Sequence, residues 1–245
     1  MNKLYTKLML LSMILVSSTY AQDQFQSDII KTSGGELSIT FIGHGSLMFT
    51  FGGKVIHVDP YSKLADYSKL PKADILLITH EHGDHLDLPA LEKVRTEKTT
   101  VVTNEAGSAK VSGGRVMKNG DKQTINGLAI EAVPAYNIVG KRENGQPYHP
   151  KGAGNGYVLT FGDKRVYIAG DTENVPEMKE IKHIDIAFLP MNLPYTMTPE
   201  MAADAAHMVQ PKVLYPYHTG DTDSAKLSAL MKDQKGTEVR IRKMQ

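Results

Sequence analysis

The sequence predicts an α/β protein in which two sheets pack face to face with helices on the outside, four layers in one domain. Three observations lead there. Glycine-punctuated hairpins occupy residues 37–58 and again 119–169, each set is followed by short apolar runs of strand type, and helical patterns lie beside those runs.

The elements follow in chain order. Leu37, Ile39 and Phe41 alternate with Ser38 and Thr40, residues 47–51 follow a Gly-His-Gly break, and Gly52-Gly53 turns the chain into a strand over 55–58. The continuous apolar run 75–78 fits a strand buried on both faces. A short helix over 88–94, a strand near Val101 and a helix around Ala106 come next. Asn119-Gly120-Asp121 and Asn126-Gly127 are turn signals, and Gly162-Asp163 joins strands over 157–161 and 165–169. After a strand over 184–189, Thr198 suits the N-cap of a helix over 198–209, with Pro199 at its first position and Glu200 at the positive end of its dipole. A strand over 213–217, a helix over 224–231 and a strand over 239–241 complete the chain. Residues 22–36 are polar, end in Ser33-Gly34-Gly35, and are expected to be a short lead-in to a domain at 37–245. No repeat in the residues signals a duplication.

The first 21 residues have the order of a secretory signal peptide. Lys3 and Lys7 precede an apolar run over 8–16 that is too short to span a bilayer, and small residues lead to Ala21, where cleavage is expected. The expectation is an exported chain, periplasmic or secreted, with no membrane span in its mature part. Without residues 1–21 the chain has 224 residues, 26 basic against 27 acidic, a net charge of −1. That length suits one core, and near-neutrality argues against a nucleic-acid partner; a small-molecule substrate is expected. Oligomeric state leaves no trace in the pattern. There are no cysteines, so any metal must be held by nitrogen and oxygen.

The sharpest chemical signal is Thr79-His80-Glu81-His82-Gly83-Asp84-His85, directly after the buried strand. Random placement of this composition would give His-x-His-x-Asp-His on the order of once per thousand such chains. Positions two apart in extended backbone point the same way, so His80 and His82 can share a cation, and Gly83 permits the turn that brings Asp84 and His85 towards a neighbouring point. Three imidazoles and a carboxylate in six residues need partners when desolvated, and a metal supplies one.

This motif at a strand end resembles the signature of the metallo-β-lactamase superfamily. Gly170-Asp171-Thr172 is similar to that family's later motif, and His218, in Tyr215-Pro216-Tyr217-His218, to its last histidine. The stretch Pro134-Ala135-Tyr136-Asn137, then His149-Pro150-Lys151-Gly152, resembles the lactonase-like branch related to ascorbate-6-phosphate lactonase, as do Ile42-Gly43-His44-Gly45 and Val58-Asp59-Pro60. The resemblance implies an αββα metallo-β-lactamase sandwich and a hydrolase with two divalent metal ions, Zn2+ ahead of Mn2+ or Fe2+. His80, His82 and His149 would hold the first metal; Asp84, His85 and His218 the second; Asp171 would bridge them. It further implies a bridging hydroxide that attacks an ester, lactone, amide or phosphoester, with Asp84 also orienting the nucleophile. A phosphodiesterase or nuclease of the same fold, or an iron-dependent oxidoreductase, is the alternative.

Around that core, Asp59 is expected either to orient a ligand histidine or to start a turn before Pro60, and His44 either to serve the site or to be plain turn chemistry. Tyr136, Asn137, Lys151 and Tyr195 lie in loops that could line the cleft, and specificity is expected from residues 138–151 and 191–198. His57 is expected to pack within a strand and His207 to lie on the surface near a helix C-terminus; His183 has no motif around it.

Overall fold

The computed structural model describes residues 25–244; the expected signal peptide lies outside the described residues. Two seven-stranded sheets form the centre. The first holds, in spatial order, β1 (Gln26–Thr32), β2 (Gly35–Gly43), β3 (Ser46–Phe51), β4 (Lys54–Val58), β5 (Ile75–Leu77), β6 (Thr100–Thr103) and β7 (Arg115–Val116). The second holds β8 (Lys122–Ile125), β9 (Leu128–Ala135), β10 (Gly154–Phe161), β11 (Lys164–Ile168), β12 (Ile186–Pro190), β13 (Val213–Tyr217) and β14 (Glu238–Val239), again in chain order across the sheet. In each sheet the first four strands pair antiparallel and the remaining pairings are parallel. The two halves therefore share one topology, a duplication that no residue pattern announces.

The inner faces meet through Phe41, Phe49 and Ile56 from one sheet and Phe161, Phe188 and Tyr215 from the other, all buried. Phe188 stacks on Tyr215 at 5.1 Å and meets Phe49 edge-on at 6.1 Å. Truncating it to Ala in so closed a layer costs about 3–5 kcal/mol. On the outside of the first sheet lies α1 (Leu88–Val94), with Asp87 accepting from the Ala90 N–H and Pro in the first turn; the short helix α2 (Glu105–Ser108) follows β6. On the outside of the second sheet lie α3 (Pro199–Val209) and α4 (Ser224–Leu230). Ala202, Ala205, Ala206 and Val209 recur at helical spacing and bury one face of α3 against that sheet. Thr198 accepts from the Met201 N–H, and Gln210 ends the helix in the left-handed region at φ 52°.

Residues 26–32 correct the expectation of a lead-in: they form β1, paired residue for residue with β2 from Gln26↔Phe41 to Thr32↔Gly35. An edge strand with one solvated face needs no continuous apolar pattern, which is why a polar segment hid it. Arg242 fastens it at the far end of the chain, donating to both Asp28 oxygens at 3.0 and 2.8 Å. The last strand is Glu238–Val239 rather than 239–241, and β7 has only two residues, too few to carry a period.

Candidate metal centre

The ends of β4, β5, β11 and β13, the β2–β3 turn and the β9–β10 connection converge on one edge where the two sheets meet. Cross-sheet hydrogen bonds hold that edge closed: the His218 N–H donates to the His44 carbonyl at 2.8 Å, the Asn155 N–H to the Thr79 carbonyl at 2.9 Å, and the Tyr157 hydroxyl to the Ile78 carbonyl at 2.9 Å. His44 follows β2 and His149 lies in the connection after β9, so the equivalent junctions of the two halves each deliver a histidine.

His80, His82, Asp84, His85, His149, Asp171 and His218 all come together here, in three overlapping donor groups: His80, His82 and His149; Asp84, His85 and His218 with His44; and His80, His85 and Asp171, which links the other two. In the first, His80, His82 and His149 each offer a nitrogen within 4.8 Å of the others. In the second, His85 Nε2 and His218 Nε2 are 3.1 Å apart and each lies 3.6 Å from Asp84 Oδ2. Asp171 stands between the groups. Its Oδ1 is 3.5 Å from His85 Nε2 and 3.4 Å from His218 Nε2, and its Oδ2 is 3.3 Å from His149 Nε2 and 4.0 Å from His80 Nε2. Nitrogen and oxygen ligands about 2.0–2.1 Å from a tetrahedral ion are separated from one another by ~3.3 Å. The second group with Asp171 Oδ1 has that spacing already. His80 Nε2 and Asp171 Oδ1 are buried and lack a hydrogen-bond partner among the described residues, the condition expected of atoms reserved for a cation.

The imidazoles are held in one orientation by their outer nitrogens. Asp59, buried, accepts from His85 Nδ1 at 2.8 Å and from the Thr79 N–H and hydroxyl at 2.8 and 2.7 Å. Because the Thr79 hydroxyl proton goes to Asp59, its oxygen accepts from His80 Nδ1 at 3.0 Å. Asn137 Oδ1 accepts from His149 Nδ1 at 2.7 Å and from the His149 N–H at 2.9 Å. In all three rings Nδ1 donates outward, which in the neutral ring leaves the Nε2 lone pair facing inward.

Electrostatics agree. Burial, with the His85 charge beside it, holds the His80 pKa well below the imidazole value; burial brings His149 down to about 4 and lowers His82 as well. Burial opposes the charged form of Asp171, yet His218 and His85 outweigh it and keep the carboxylate ionised, as His218 and His44 do for Asp84. Neutral imidazoles and ionised carboxylates are the ligating states, and His80, His82, His149, Asp84 and Asp171 are in them. Burial opposes a charge on His85, but Asp171 and Asp59 outweigh it and raise its pKa well above the imidazole value, so a cation would have to displace a proton from that ring.

Of the remaining candidates, Asp59 and Asn137 orient His85 and His149, and His44 touches the cluster. His44 Nε2 lies 2.9 Å from Asp84 Oδ2, its ring packs on His218 at 3.7 Å, and its φ of 49° is fixed by the backbone bond to His218. Tyr195 lines the cleft. Tyr136 and Lys151 instead meet at Glu177, with hydrogen bonds of 2.9 and 2.6 Å, and line no part of the main cleft. His57 is fully buried in β4, and His207 and His183 are exposed.

Sequence reasoning missed Thr79, Tyr217 and Glu173. Tyr217 accepts from the Gly170 N–H at 2.8 Å, fixing the turn before Asp171, where φ is +68° and a Cβ would lie 2.8 Å from the Asn155 carbonyl. Glu173, buried, gathers the N–H groups of Ile138, Val139 and Gly140 at 2.7, 2.7 and 2.6 Å and takes Asn137 Nδ2 at 3.2 Å. Its place two residues after Asp171 was the only signal, and it is a weak one.

The fold and this cluster define an αββα sandwich with a histidine–aspartate group able to hold metal. Residues 38–218 match the model of the β-lactamase superfamily domain, and the chain belongs to that superfamily. Within it the chain belongs with the UPF0173 metal-dependent hydrolases. The relative of that name from Koribacter versatilis is 32% identical over 198 residues, covering 75% of this chain and 84% of its own. A solved structure from Parabacteroides distasonis, described as a metal-dependent hydrolase, is 56% identical, covers 90% of this chain and all of its own, and superposes with a TM-score of 0.86. Igni18 of Ignicoccus hospitalis, a metallo hydrolase, is 25% identical with a TM-score of 0.71 over 85% of this chain and 95% of its own.

Proposed function

We propose that this protein is an exported hydrolase that works with two divalent cations on a small-molecule ester, lactone, amide or phosphoester. The observation that carries the reading is Asp171, whose two oxygens face two different donor groups. His80, His82 and His149 would hold one cation, Asp84, His85 and His218 the other, with Asp171 shared. The tetrahedral spacing of the second group favours zinc over the octahedral preference of manganese. Two cations held there would supply acidity that makes water a nucleophile near neutral pH and positive charge to meet a developing oxyanion. Asp84 is half-buried, ionised and part of the cleft wall, placed to orient that water. The cleft, about 400 Å3, suits a small molecule. Export rests on Lys3, Lys7, the apolar run 8–16 and Ala21.

Metal analysis of the mature protein, joined to a panel of lactones, phosphodiesters, esters and amides, tests this. Two equivalents of zinc are expected. His149→Ala should lose one, His218→Ala the other, and Asp84→Ala with His85→Ala should abolish turnover. A zinc-saturated protein with one equivalent, or turnover indifferent to Asp84 and His85, sinks the reading. Cell fractionation with N-terminal sequencing tests export: a mature N-terminus at Gln22 outside the cytoplasm is expected, and an intact Met1 in the cytoplasm refutes it.

A further inference from the structure

The cleft wall is not only metal ligands. Arg142, Tyr148, Asn192 and Tyr195 line it together with His82, Asp84, His149 and Asp171. Among the described residues no carboxylate lies within ion-pair distance of the Arg142 guanidinium, whose contacts are the Tyr148 carbonyl at 3.3 Å and the Tyr148 ring at 5.4 Å. Arg142 is exposed at the cleft beside the histidine–aspartate cluster, and its planar guanidinium, with no anion of its own among the described residues, can receive one from outside.

The segment that carries it is built. Lys141 and Pro147 bridge antiparallel, the Arg142 N–H donates to the Gln146 carbonyl at 2.7 Å, and the Gly145 N–H to the Arg142 carbonyl at 2.9 Å, so Arg142 sits in a small hairpin. Glu173 holds the base of that hairpin through three backbone N–H groups. The facing loop is joined to it: Asn137 Nδ2 donates to the Tyr195 carbonyl at 2.9 Å, and the Tyr148 and Tyr195 rings meet edge-on at 4.9 Å. On these two loops Ile138, Val139, Leu193 and Tyr195 are left 44–68% exposed, half of the large hydrophobic residues exposed on the described chain. Of these four Tyr195 lines the cleft itself, and Ile138, Val139 and Leu193 lie on the same two joined loops, so the apolar surface next to the cleft is where an apolar part of a ligand can lie.

We infer that Arg142 is a specificity residue, and that the substrate is an amphipathic small anion. Its carboxylate or phosphate meets the Arg142 guanidinium beside the Tyr148 ring, and its apolar part lies against Tyr195, on the loop that also exposes Leu193. This rests on the proposed hydrolase reading only for the word substrate; the anion subsite stands by itself as a binding site.

The test measures binding rather than turnover, so its failure and that of the hydrolase reading are separable. Zinc-loaded protein is titrated calorimetrically with 3-phenylpropionate, its neutral match 3-phenylpropanamide, and acetate. The wild type should bind 3-phenylpropionate about 10-fold or more tighter than the amide and also tighter than acetate. Arg142→Ala should collapse the carboxylate-to-amide preference, Arg142→Lys should keep part of it, and Arg142→Glu should invert it. Phenyl phosphate in place of 3-phenylpropionate distinguishes the two head groups. A preference unchanged in Arg142→Ala and Arg142→Glu overturns the inference, because the metals alone would then account for anion binding; acetate as tight as 3-phenylpropionate overturns the apolar half. If the panel finds no hydrolysis yet the Arg142-dependent preference persists, the subsite holds and the reaction class falls.

Discussion

Replacing Glu173 by Gln removes no atoms from the metal centre, yet it should loosen it. One carboxylate oxygen accepts from the Ile138 and Val139 N–H groups, the other from the Gly140 N–H and Asn137 Nδ2. A glutamine has one acceptor oxygen, so whichever way the amide turns, two of the four donors face an NH2 group. Each lost pairing of a buried donor costs ~1–3 kcal/mol, so about 2–4 kcal/mol is expected after partial relaxation. A domain with 5–15 kcal/mol of stability survives that, and the loss falls on the segment that Glu173 holds. Amide exchange across residues 137–149 should accelerate roughly 30-fold or more, as an opening made 2–4 kcal/mol easier requires. Asn137 would keep its bond to the Tyr195 carbonyl but lose the one to Glu173, and the Oδ1 that accepts from His149 Nδ1–H would be held less firmly. At the first cation site proposed above, His80–His82–His149, zinc affinity should then fall about 10- to 100-fold, the usual effect of disturbing a ligand's outer partner. Hydrogen–deuterium exchange by mass spectrometry and competition titration with a zinc chelator read both effects. Unchanged exchange over 137–149 together with unchanged affinity would refute the latch.

Two further outcomes follow from the same geometry. Asp59→Asn leaves one acceptor for three donors around His85 and Thr79, and should weaken zinc at the Asp84–His85–His218 group about 10- to 100-fold while affecting the other group less; titration of the two equivalents checks it. Burial lowers the His57 pKa to about 4, with its Nε2 donating to the Pro71 carbonyl at 3.0 Å. Because the folded pKa lies below the unfolded value near 6.5, this ring contributes fully above pH ~6.5 and its contribution is lost as pH falls towards 4. Between pH 7 and 4.5 that loss is about 2 kcal/mol. His57→Gln should lack this part of the metal-free protein's acid sensitivity in urea unfolding at the two pH values, and equal pH dependence of the two proteins would show the assignment wrong.

The residues themselves determined what lies within a few positions of one another. The turn at Gly52-Gly53, the Thr198-Pro199 start of α3, the buried strand β5 and the grouping of His80, His82, Asp84 and His85 after it are all local, because backbone period and cap chemistry act over one or two turns of chain. Asp171 and His218 were legible through their motifs, but not which oxygen or nitrogen faces which group. That choice is made by strand register: β11 and β13 in one sheet, and β4 and β5 in the other, must end at the same edge before Asp171 can lie between His149 and His218. Likewise β1, the shared topology of the halves, the Glu173 latch and the placement of Arg142 in the cleft belong to the tertiary structure alone. Each depends on groups tens of residues apart that touch only once the sheets pack, and no periodicity along the chain encodes a contact between elements that are not neighbours in it.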